Sequence, residues 1–216
     1  MAKEFLYCYK MRHDTGFAPN TYHGVLTLAT CKPTIRRCAE IGYWISGWTS
    51  NVVYGKNNIK KVFTDDTQKL IYLAKVTDKI KIEDYWKKYD YKRPKKILIG
   101  KENTTNRCGG KNCTSSLYNM GDNIYEPIKG KKDEFKQLPN GGGHDPDNEK
   151  RDLSGKYVLI CEEFYYFGVE HAVEIKVDDN FVVPRCKKIP LYDPKAQNII
   201  EQVKKKYEQE IKSKQL

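Results

Sequence analysis

LIYLAKVT, at residues 70–77, has one of the clearest strand patterns in the sequence. It is a short, continuous apolar run, and such runs are typical of buried strands, whereas amphipathic helices are usually longer. We therefore predict a buried strand here. Further strands are predicted on both sides of it, at residues 5–10, 24–29, 42–48 and 156–162.

Helical patterns are few. A helix is predicted at 34–40 after Pro33, because proline is well tolerated in a first helical turn. A second is predicted at 82–89, where the charges agree with the helix dipole, and a third at 194–214, where apolar residues recur at helical spacing. This mixture predicts an α+β fold around a mainly antiparallel or barrel-like sheet, rather than a doubly wound parallel sheet.

The length of 216 residues fits one well-packed domain. We predict that this domain spans residues 1–193 and that a lysine-rich helix at 194–216 packs on it or extends from it. The segment from residue 92 to residue 155 is predicted to be mostly loop, because glycines, asparagines and lysine clusters interrupt its apolar residues.

Composition favours a cytoplasmic protein with a phosphate-bearing partner. No run approaches the roughly 20 apolar residues of a membrane span, and no secretory signal is visible, so no membrane partner is expected. The seven cysteines are expected to be mostly thiols, since an odd number cannot all pair. The net charge of +11 favours a nucleotide or nucleic acid as partner. A lysine excess also arises from an A-rich genome, so both origins stay open.

Polar residues cluster in loops that directly follow predicted strands, where binding sites are commonly built. In the first such loop, His13 and Asp14 are candidates for acid–base chemistry and Asn20 for reading a polar edge. The alternative is that Asp14 and Asn20 cap the loop. After the next strand, Lys32 and Arg36 are candidates for holding a phosphate, or else belong to a solvated helix start.

Four further polar residues are candidates of the same kind. Cys31 is a less favoured candidate nucleophile, because a reactive cysteine needs a stabilised thiolate and the neighbouring cations would supply it. His144 follows three glycines, and an imidazole beside a carboxylate can act as a general acid or base; a solvated loop histidine is the alternative. Asp122 and Asn123 are candidates for reading the polar edges of a base, or form a turn.

Aromatic residues supply candidate stacking surfaces for a base. Stacking of a base on an aromatic ring contributes about 1–3 kcal/mol. Core packing is the alternative for each ring taken singly. The candidates are Tyr43, Trp44, Tyr165 and Tyr166.

Common catalytic and cofactor motifs are missing from the sequence. It contains no phosphate-binding P-loop, no dinucleotide fingerprint, no serine nucleophile elbow and no zinc-deaminase pattern. Cys108 and Cys113 form one loose pair, whereas a structural zinc site usually has two close pairs. We therefore predict no metal and no cofactor.

Ordered sequence blocks resemble the second of the nucleotide-modification-associated domain families of bacteria and phages. The blocks are HDTGFAPN at 13–20, GVLTLATCKP at 24–33 with Arg36, LIY at 70–72, DYW at 84–86, GDNIY at 121–125 and FYYFG at 164–168.

This resemblance runs from about residue 5 to about residue 190 and implies a setting in base modification, not a reaction. Related sequences often carry Asp where this chain has Tyr43, which puts any chemistry of that Asp in doubt here. A looser resemblance to PUA-like readers of modified bases, the EVE and YTH groups, implies a barrel, although fold alone does not fix function.

Three functional hypotheses follow. The first is recognition of a nucleotide, or of a modified base in nucleic acid, in an aromatic and basic cleft, within a bacterial or phage DNA-modification or defence setting. The second is an enzyme that modifies or hydrolyses a nucleotide or base with Asp14, His13 or His144 as acid–base groups. The third is an interaction subunit of a phage-defence complex. The sequence predicts no oligomeric state.

Overall fold

The structure is a computed structural model that describes residues 3–56, 60–63, 68–96, 119–178 and 181–214. Cys108 and Cys113 lie outside the described residues. In chain order the elements are β1 (Phe5–His13), β2 (Leu26–Leu28), α1 (Pro33–Cys38), β3 (Trp44–Tyr54), β4 (Lys60–Val62), β5 (Leu70–Lys75), β6 (Asp78–Lys81), α2 (Ile82–Lys88), β7 (Tyr125–Pro127), β8 (Phe135–Gln137), α3 (Pro146–Leu153), β9 (Tyr157–Cys161), β10 (Glu163–Tyr166), β11 (Cys186–Pro190) and α4 (Pro194–Lys214).

The largest sheet has the strand order β10-β5-β3-β1-β11, and β4 pairs with β3. Strands β1 and β3 run parallel, with Leu6 opposite Trp44, while the other described pairs of this sheet are antiparallel. Because successive side chains of a strand point to opposite faces, Tyr7 and Tyr9 of β1 enter one core and Leu6 and Cys8 enter another. The sheet therefore has two apolar faces, each of which is covered.

The first face of this sheet packs against a second, three-stranded sheet of order β2-β9-β6. Leu26 and Leu28 of β2 and Leu159 of β9 join the tyrosines of β1 in this core. The far side of the second sheet carries a further core, in which Val158 and Ile160 of β9 contact α2 and the two-stranded β7–β8 sheet. The chain turns at Cys31 and Lys32 after β2, and this turn, called the Cys31 turn below, thus lies beside the second sheet.

Helix α4 covers the opposite face of the largest sheet. Its apolar residues Ala196, Ile199 and Val203 are buried against that face, so the helix is part of the packed structure over these positions. Within the described part of the chain, none of the helices combines the length and the apolar character that a bilayer crossing requires.

The predicted α+β class is confirmed, and β5 and the last helix lie where they were predicted. A closed barrel is not confirmed, because the largest sheet is open, with β10 and β11 at its edges in the described chain. The PUA-like expectation therefore has no support in this fold. The described part of residues 92–155 is mostly loop, as predicted, but it also contains β7, β8 and α3, which were not predicted. Helix α3 lacks an apolar stripe, since its buried residue is Asp152.

Candidate active site

Cys31 lies in a tight turn between the end of β2 and the start of α1 at Pro33. Cys31 and Lys32 both adopt left-handed backbone conformations, with φ of 56° and 39°. Such conformations are uncommon outside glycine, cost about 1–3 kcal/mol each and cluster at functional sites. The strand and the helix hold this strained turn in place, and they fix the position of the half-buried Cys31 thiol.

His144 and Asp152 form a line of three side chains with Cys31. The distance between His144 Nε2 and Cys31 Sγ is 3.4 Å, and the distance between His144 Nδ1 and Asp152 Oδ2 is 2.6 Å. The imidazole thus contacts a thiol with one ring nitrogen and a carboxylate with the other. A nucleophile next to a base that a third group orients is the arrangement of a nucleophilic triad.

Further hydrogen bonds fix the Asp152 carboxylate, whose side chain is 0% exposed. The backbone N–H of Cys31 donates to Oδ1 over 2.8 Å, and the Tyr125 hydroxyl donates to Oδ2 over 3.0 Å. Hydrogen bonds to a buried carboxylate stabilise its ionised form. Asp152 therefore orients His144 and at the same time ties α3 to the Cys31 turn.

The protonation of the pair follows from these contacts. Burial by itself lowers the pKa of His144, but its hydrogen bonds with Asp152 and Cys31 and their charges outweigh burial and raise the pKa to about 9. Burial raises the pKa of Asp152, but the contacts with His144, Cys31 and Arg36 outweigh it and hold the pKa below its ordinary value. The contacts therefore favour the imidazolium form of His144, which lies between the carboxylate and the thiol.

Arg36 holds the main chain around Cys31 and Asp152. Its guanidinium is fully buried and donates only to main-chain carbonyls in the described contacts. Nε donates to Cys31 O over 3.0 Å, and Nη2 donates to Asp152 O. Nη1 donates to the carbonyls of Ala29 and Tyr157. The arrangement leaves Arg36 engaged with the protein, so we assign it a positioning role and not the phosphate contact that the sequence predicted.

The loop that carries His144 is held on two sides. Asn140 Oδ1 accepts from the His144 N–H, and Asn140 Nδ2 and Gln137 Nε2 both donate to the His144 carbonyl. The Phe17 ring packs on the imidazole with 4.8 Å between centroids. Gly142 makes this contact possible, because a Cβ atom there would overlap the Phe17 ring. The imidazole is thus placed by packing as well as by hydrogen bonds.

A metal ion is a second use of the same three residues, since one ligand atom from each lies within 4.8 Å of the others. The geometry favours the triad. One ring nitrogen of His144 faces the thiol and the other faces the carboxylate, and the lone pairs of the two nitrogens point apart. A single ion could therefore take only one ring nitrogen, leaving Asp152 as the partner of the other. Two ligands fall short of the four that structural zinc usually has.

Lys32 follows Cys31 in the same turn. Its Nζ donates to the Lys10 carbonyl over 3.2 Å and lies 4.2 Å from the centre of the Tyr9 ring. Burial lowers the pKa of Lys32, and the charges of Arg185 and Arg151 lower it further, while the thiols of Cys31 and Cys186 act in the opposite direction. The structure therefore places a half-buried cation beside Cys31.

The other two predicted acid–base residues, Asp14 and His13, have hydrogen-bond and ring contacts outside the line of Cys31, His144 and Asp152. Asp14 is 4% exposed and accepts hydrogen bonds from the Tyr166 hydroxyl and from Val169 N–H, the latter over 2.7 Å. Burial raises the pKa of Asp14. His13 stacks on Tyr54, with 5.6 Å between the ring centroids, and burial lowers its pKa. Asp14 is thus part of a structural link between β1 and the segment after β10.

The polar residues predicted to read base edges are buried in a hydrogen-bonded network around Lys92. Lys92 Nζ donates to Asn20 Oδ1 over 3.0 Å and to Val25 O over 2.7 Å. Asp122 accepts from Thr27 Oγ1 and from the Tyr85 hydroxyl, each over 2.7 Å. Asn20, Asp122 and Asn123 are at most 2% exposed, so their side chains are engaged within the protein.

The predicted aromatic residues lie on different faces of the largest sheet. Trp44 and Tyr165 stack at 6.5 Å between centroids and belong to the core under α4. Tyr43 and Tyr166 pack against the core on the other face, and the Tyr43 hydroxyl donates to Lys3 O over 2.8 Å. The structure therefore does not bring these four rings together in one cleft.

Sequence reasoning did not single out Asp152 or Tyr125. Helix α3 does carry start signals, because Pro146 occupies its first turn, Asp147 and Glu149 follow, and Arg151 lies in the last turn. Placing a helix there would have put Asp152 near its end. Asp152 meets Cys31 and His144 only because the chain brings Cys31 and His144 together. These two residues are 113 positions apart, and no local pattern predicts their contact.

Comparison with known proteins gives one finding about the whole chain. The model of the family "nucleotide modification associated domain 2" matches residues 3–214. This chain therefore belongs to that family, as the sequence blocks indicated. No curated protein and no solved structure matches it.

Proposed function

We propose that this protein is an enzyme of nucleotide modification that transfers or hydrolyses an acyl group through a thioester on Cys31. The observation that carries the proposal is the line of contacts from Cys31 Sγ through the His144 imidazole to Asp152. This proposal develops the enzyme hypothesis from the sequence. It keeps His144 as the acid–base group and Cys31 as the nucleophile.

The geometry supports a two-step reaction. An imidazolium beside a thiol favours the thiolate, which is the nucleophilic form. Cys31 Sγ attacks a carbonyl carbon, the bond to the leaving group breaks, and His144 Nε2 gives its proton to that leaving group. The resulting thioester is attacked by water or an amine, from which His144 takes a proton. The acid or amide leaves, and the Cys31 thiolate and the His144 imidazolium are restored. Asp152 keeps the imidazole oriented throughout.

Acyl transfer is the reaction class that fits these three side chains best. A cysteine, a histidine and an acidic or amide residue in line recur in acyl-transfer enzymes of unrelated folds. The strained Cys31 turn agrees with this, since a nucleophile between a strand and a helix is a frequent arrangement in hydrolases.

Recognition of a nucleotide or nucleic acid enters this proposal as substrate binding. The net charge of +11 supports an anionic partner. Of the residues predicted to bind it, Lys32 lies beside the nucleophile, whereas Arg36, Asn20, Asp122 and Asn123 are engaged in internal hydrogen bonds. A place in phage defence, as reader or as interaction subunit, stays a prediction from the sequence.

An acylation experiment tests the proposal. The full chain is mixed with p-nitrophenyl acetate, release of p-nitrophenol is followed, and the peptides are mapped by mass spectrometry. We expect a burst of p-nitrophenol and an acetyl group on Cys31. Cys31→Ala removes both, His144→Gln slows the burst by about 100-fold or more, and Cys38→Ala, the matched control at an exposed thiol, leaves the burst unchanged. A Cys31 that is not acetylated, or is acetylated equally fast in His144→Gln, overturns the proposal.

A further inference from the structure

We propose that the Cys31 site takes substrates that bear a phosphate group next to the reacting carbonyl, and that Lys32 binds this phosphate. The inference rests on the proposed function, because it names the substrate class for the same nucleophile. The inference concerns charged residues around Cys31 that are not part of the line of Cys31, His144 and Asp152.

The first observation is the position of the Lys32 ammonium. It is half-buried beside the nucleophile and is held by the Lys10 carbonyl and the face of the Tyr9 ring. Among the ion pairs of the described chain, none joins Lys32 to a carboxylate. A cation that loses hydration without gaining an anion is costly unless a ligand supplies the charge.

The second observation is that the charged neighbours of Lys32 are mainly cations or thiols. Arg185 precedes β11 and Arg151 lies on α3, and both guanidinium groups act on Lys32. Arg151 is exposed, donates to Asn148 Oδ1 over 2.6 Å and has its Nε 4.0 Å from Asp152 Oδ1. Lys32, Arg151 and Arg185 thus come from three separate segments of the chain, and the positive charges of the two arginines act on that of Lys32. The remaining neighbours are the thiols of Cys31 and Cys186.

This arrangement favours a phosphate over a neutral group. Phosphate oxygens accept hydrogen bonds from ammonium and guanidinium groups together, and guanidinium groups often bind them through two parallel bonds. Because Lys32 follows Cys31 in the same turn, we place the bound phosphate beside the turn that carries the thiol. A substrate whose acyl group and phosphate are neighbours therefore fits both residues at once.

Alkylation by two reagents of similar size but different charge tests the inference. Iodoacetate is an anion and iodoacetamide is neutral, so the ratio of their rates at Cys31 reports the local charge, independently of the reactivity of the thiol. Peptide mapping gives the same ratio at Cys38 as an internal reference. We expect the ratio at Cys31 to exceed that at Cys38 by about fivefold or more. Lys32→Gln should lower this ratio at Cys31, while Lys87→Gln, a change at an exposed lysine of α2, should leave it unchanged.

Protection experiments at constant ionic strength identify the anion. Inorganic phosphate and a nucleoside monophosphate should slow alkylation of Cys31 by iodoacetamide in the native chain and not in Lys32→Gln, and the nucleoside alone should not protect. Equal protection by acetate would overturn the phosphate assignment.

The two proposals fail in different ways. If Cys31 reacts rapidly and depends on His144, but iodoacetate has no advantage and phosphate does not protect, the inference is overturned while the proposed function stands. If Cys31 does not react rapidly even with iodoacetamide, the proposed function itself fails.

Discussion

Arg36 donates a hydrogen bond from its Nε to the carbonyl oxygen of Cys31, over 3.0 Å. The same guanidinium donates from Nη2 to the carbonyl of Asp152, so one buried side chain joins both ends of the triad. Gly155 leaves room for it, because a Cβ atom at that position would overlap the guanidinium. Arg36 thus links the main chain at Cys31 to the main chain at Asp152.

Arg36→Lys is expected to lower the free energy of unfolding by about 2–4 kcal/mol, because lysine cannot reach all the carbonyls that the guanidinium satisfies, and buried carbonyls without donors are costly. It should also slow the alkylation of Cys31. Arg37→Lys is the matched control on the same helix, since Arg37 is exposed, and should change stability by less than about 0.5 kcal/mol. Urea unfolding measures both variants. An Arg36→Lys protein as stable as the control would contradict this role.

The titration of His144 tests its contact with Asp152. We expect NMR of the imidazole to give a pKa of about 9 for His144 in the native chain. Asp152→Asn removes the charge that stabilises the imidazolium, so the pKa should fall toward the ordinary histidine value of about 6.5. Asp147→Asn, an exposed position of the same helix, should leave the pKa unchanged. A pKa that is the same in both variants would show that Asp152 does not act on His144.

The raised pKa of His144 also fixes the sign of a pH effect on stability. A group with a higher pKa in the folded chain stabilises the fold fully below its unfolded pKa, and this contribution disappears as the pH rises through its folded pKa. His144→Gln should therefore lower the free energy of unfolding more near pH 6 than above about pH 9. Urea unfolding across this range measures it, and a deficit that grows with pH would contradict the account.

Lys92 and Asp122 are opposite charges in one buried hydrogen-bonded network, both next to Thr27, and removing one of them should be costly. Lys92→Met leaves the Asp122 carboxylate buried without a cation, and such changes cost about 3–5 kcal/mol. Burial raises the pKa of Asp122 to about 6, so the deficit should shrink as the pH falls below that value and the carboxyl becomes neutral. Lys87→Met is the exposed control. Unfolding in guanidinium chloride at acidic and at neutral pH measures the stability of Lys92→Met and of the Lys87→Met control. A deficit that does not depend on pH would show that the Lys92 charge does not stabilise the Asp122 carboxylate.

Asp14 should prove structural and not chemical. Tyr166→Phe removes a hydrogen bond to the buried Asp14 carboxylate, which costs about 1.5–3 kcal/mol near neutral pH. Because burial already raises the pKa of Asp14 and this variant raises it further, the cost should be greater at neutral than at acidic pH. Alkylation of Cys31 should stay within about twofold of the native rate in both Tyr166→Phe and Asp14→Asn. A loss of Cys31 reactivity in Asp14→Asn would indicate that Asp14 takes part in the chemistry at Cys31.

The sequence predicted the elements whose cores are apolar. Strand β5 is recognisable because its residues Leu70–Lys75 are almost all buried, and α4 because its apolar positions follow helical spacing. Helix α3 escaped prediction, since it has eight residues and buries a carboxylate instead of an apolar stripe. The parallel pairing of β1 with β3 is likewise set by tertiary contacts and leaves no local signal.

The candidate site was predicted in pieces. Cys31, Lys32 and His144 were singled out because polar residues follow strands or glycines, yet nothing in the local sequence joins Cys31 to His144. Polar residues in similar settings, such as Asn20 and Asp122, instead lie in the interior around Lys92. Local sequence shows that a residue is polar and lies near a strand end, while its partners are fixed by the packing of the second sheet against its neighbours.

The most direct test of the central claim is the rate at which iodoacetamide modifies Cys31 near neutral pH, compared with exposed Cys38 in the same chain. If His144 and Asp152 activate Cys31, it reacts at least about tenfold faster than Cys38 despite its lower exposure, and His144→Gln abolishes the advantage. Equal rates at the two thiols, or an advantage that persists without His144, would contradict the account.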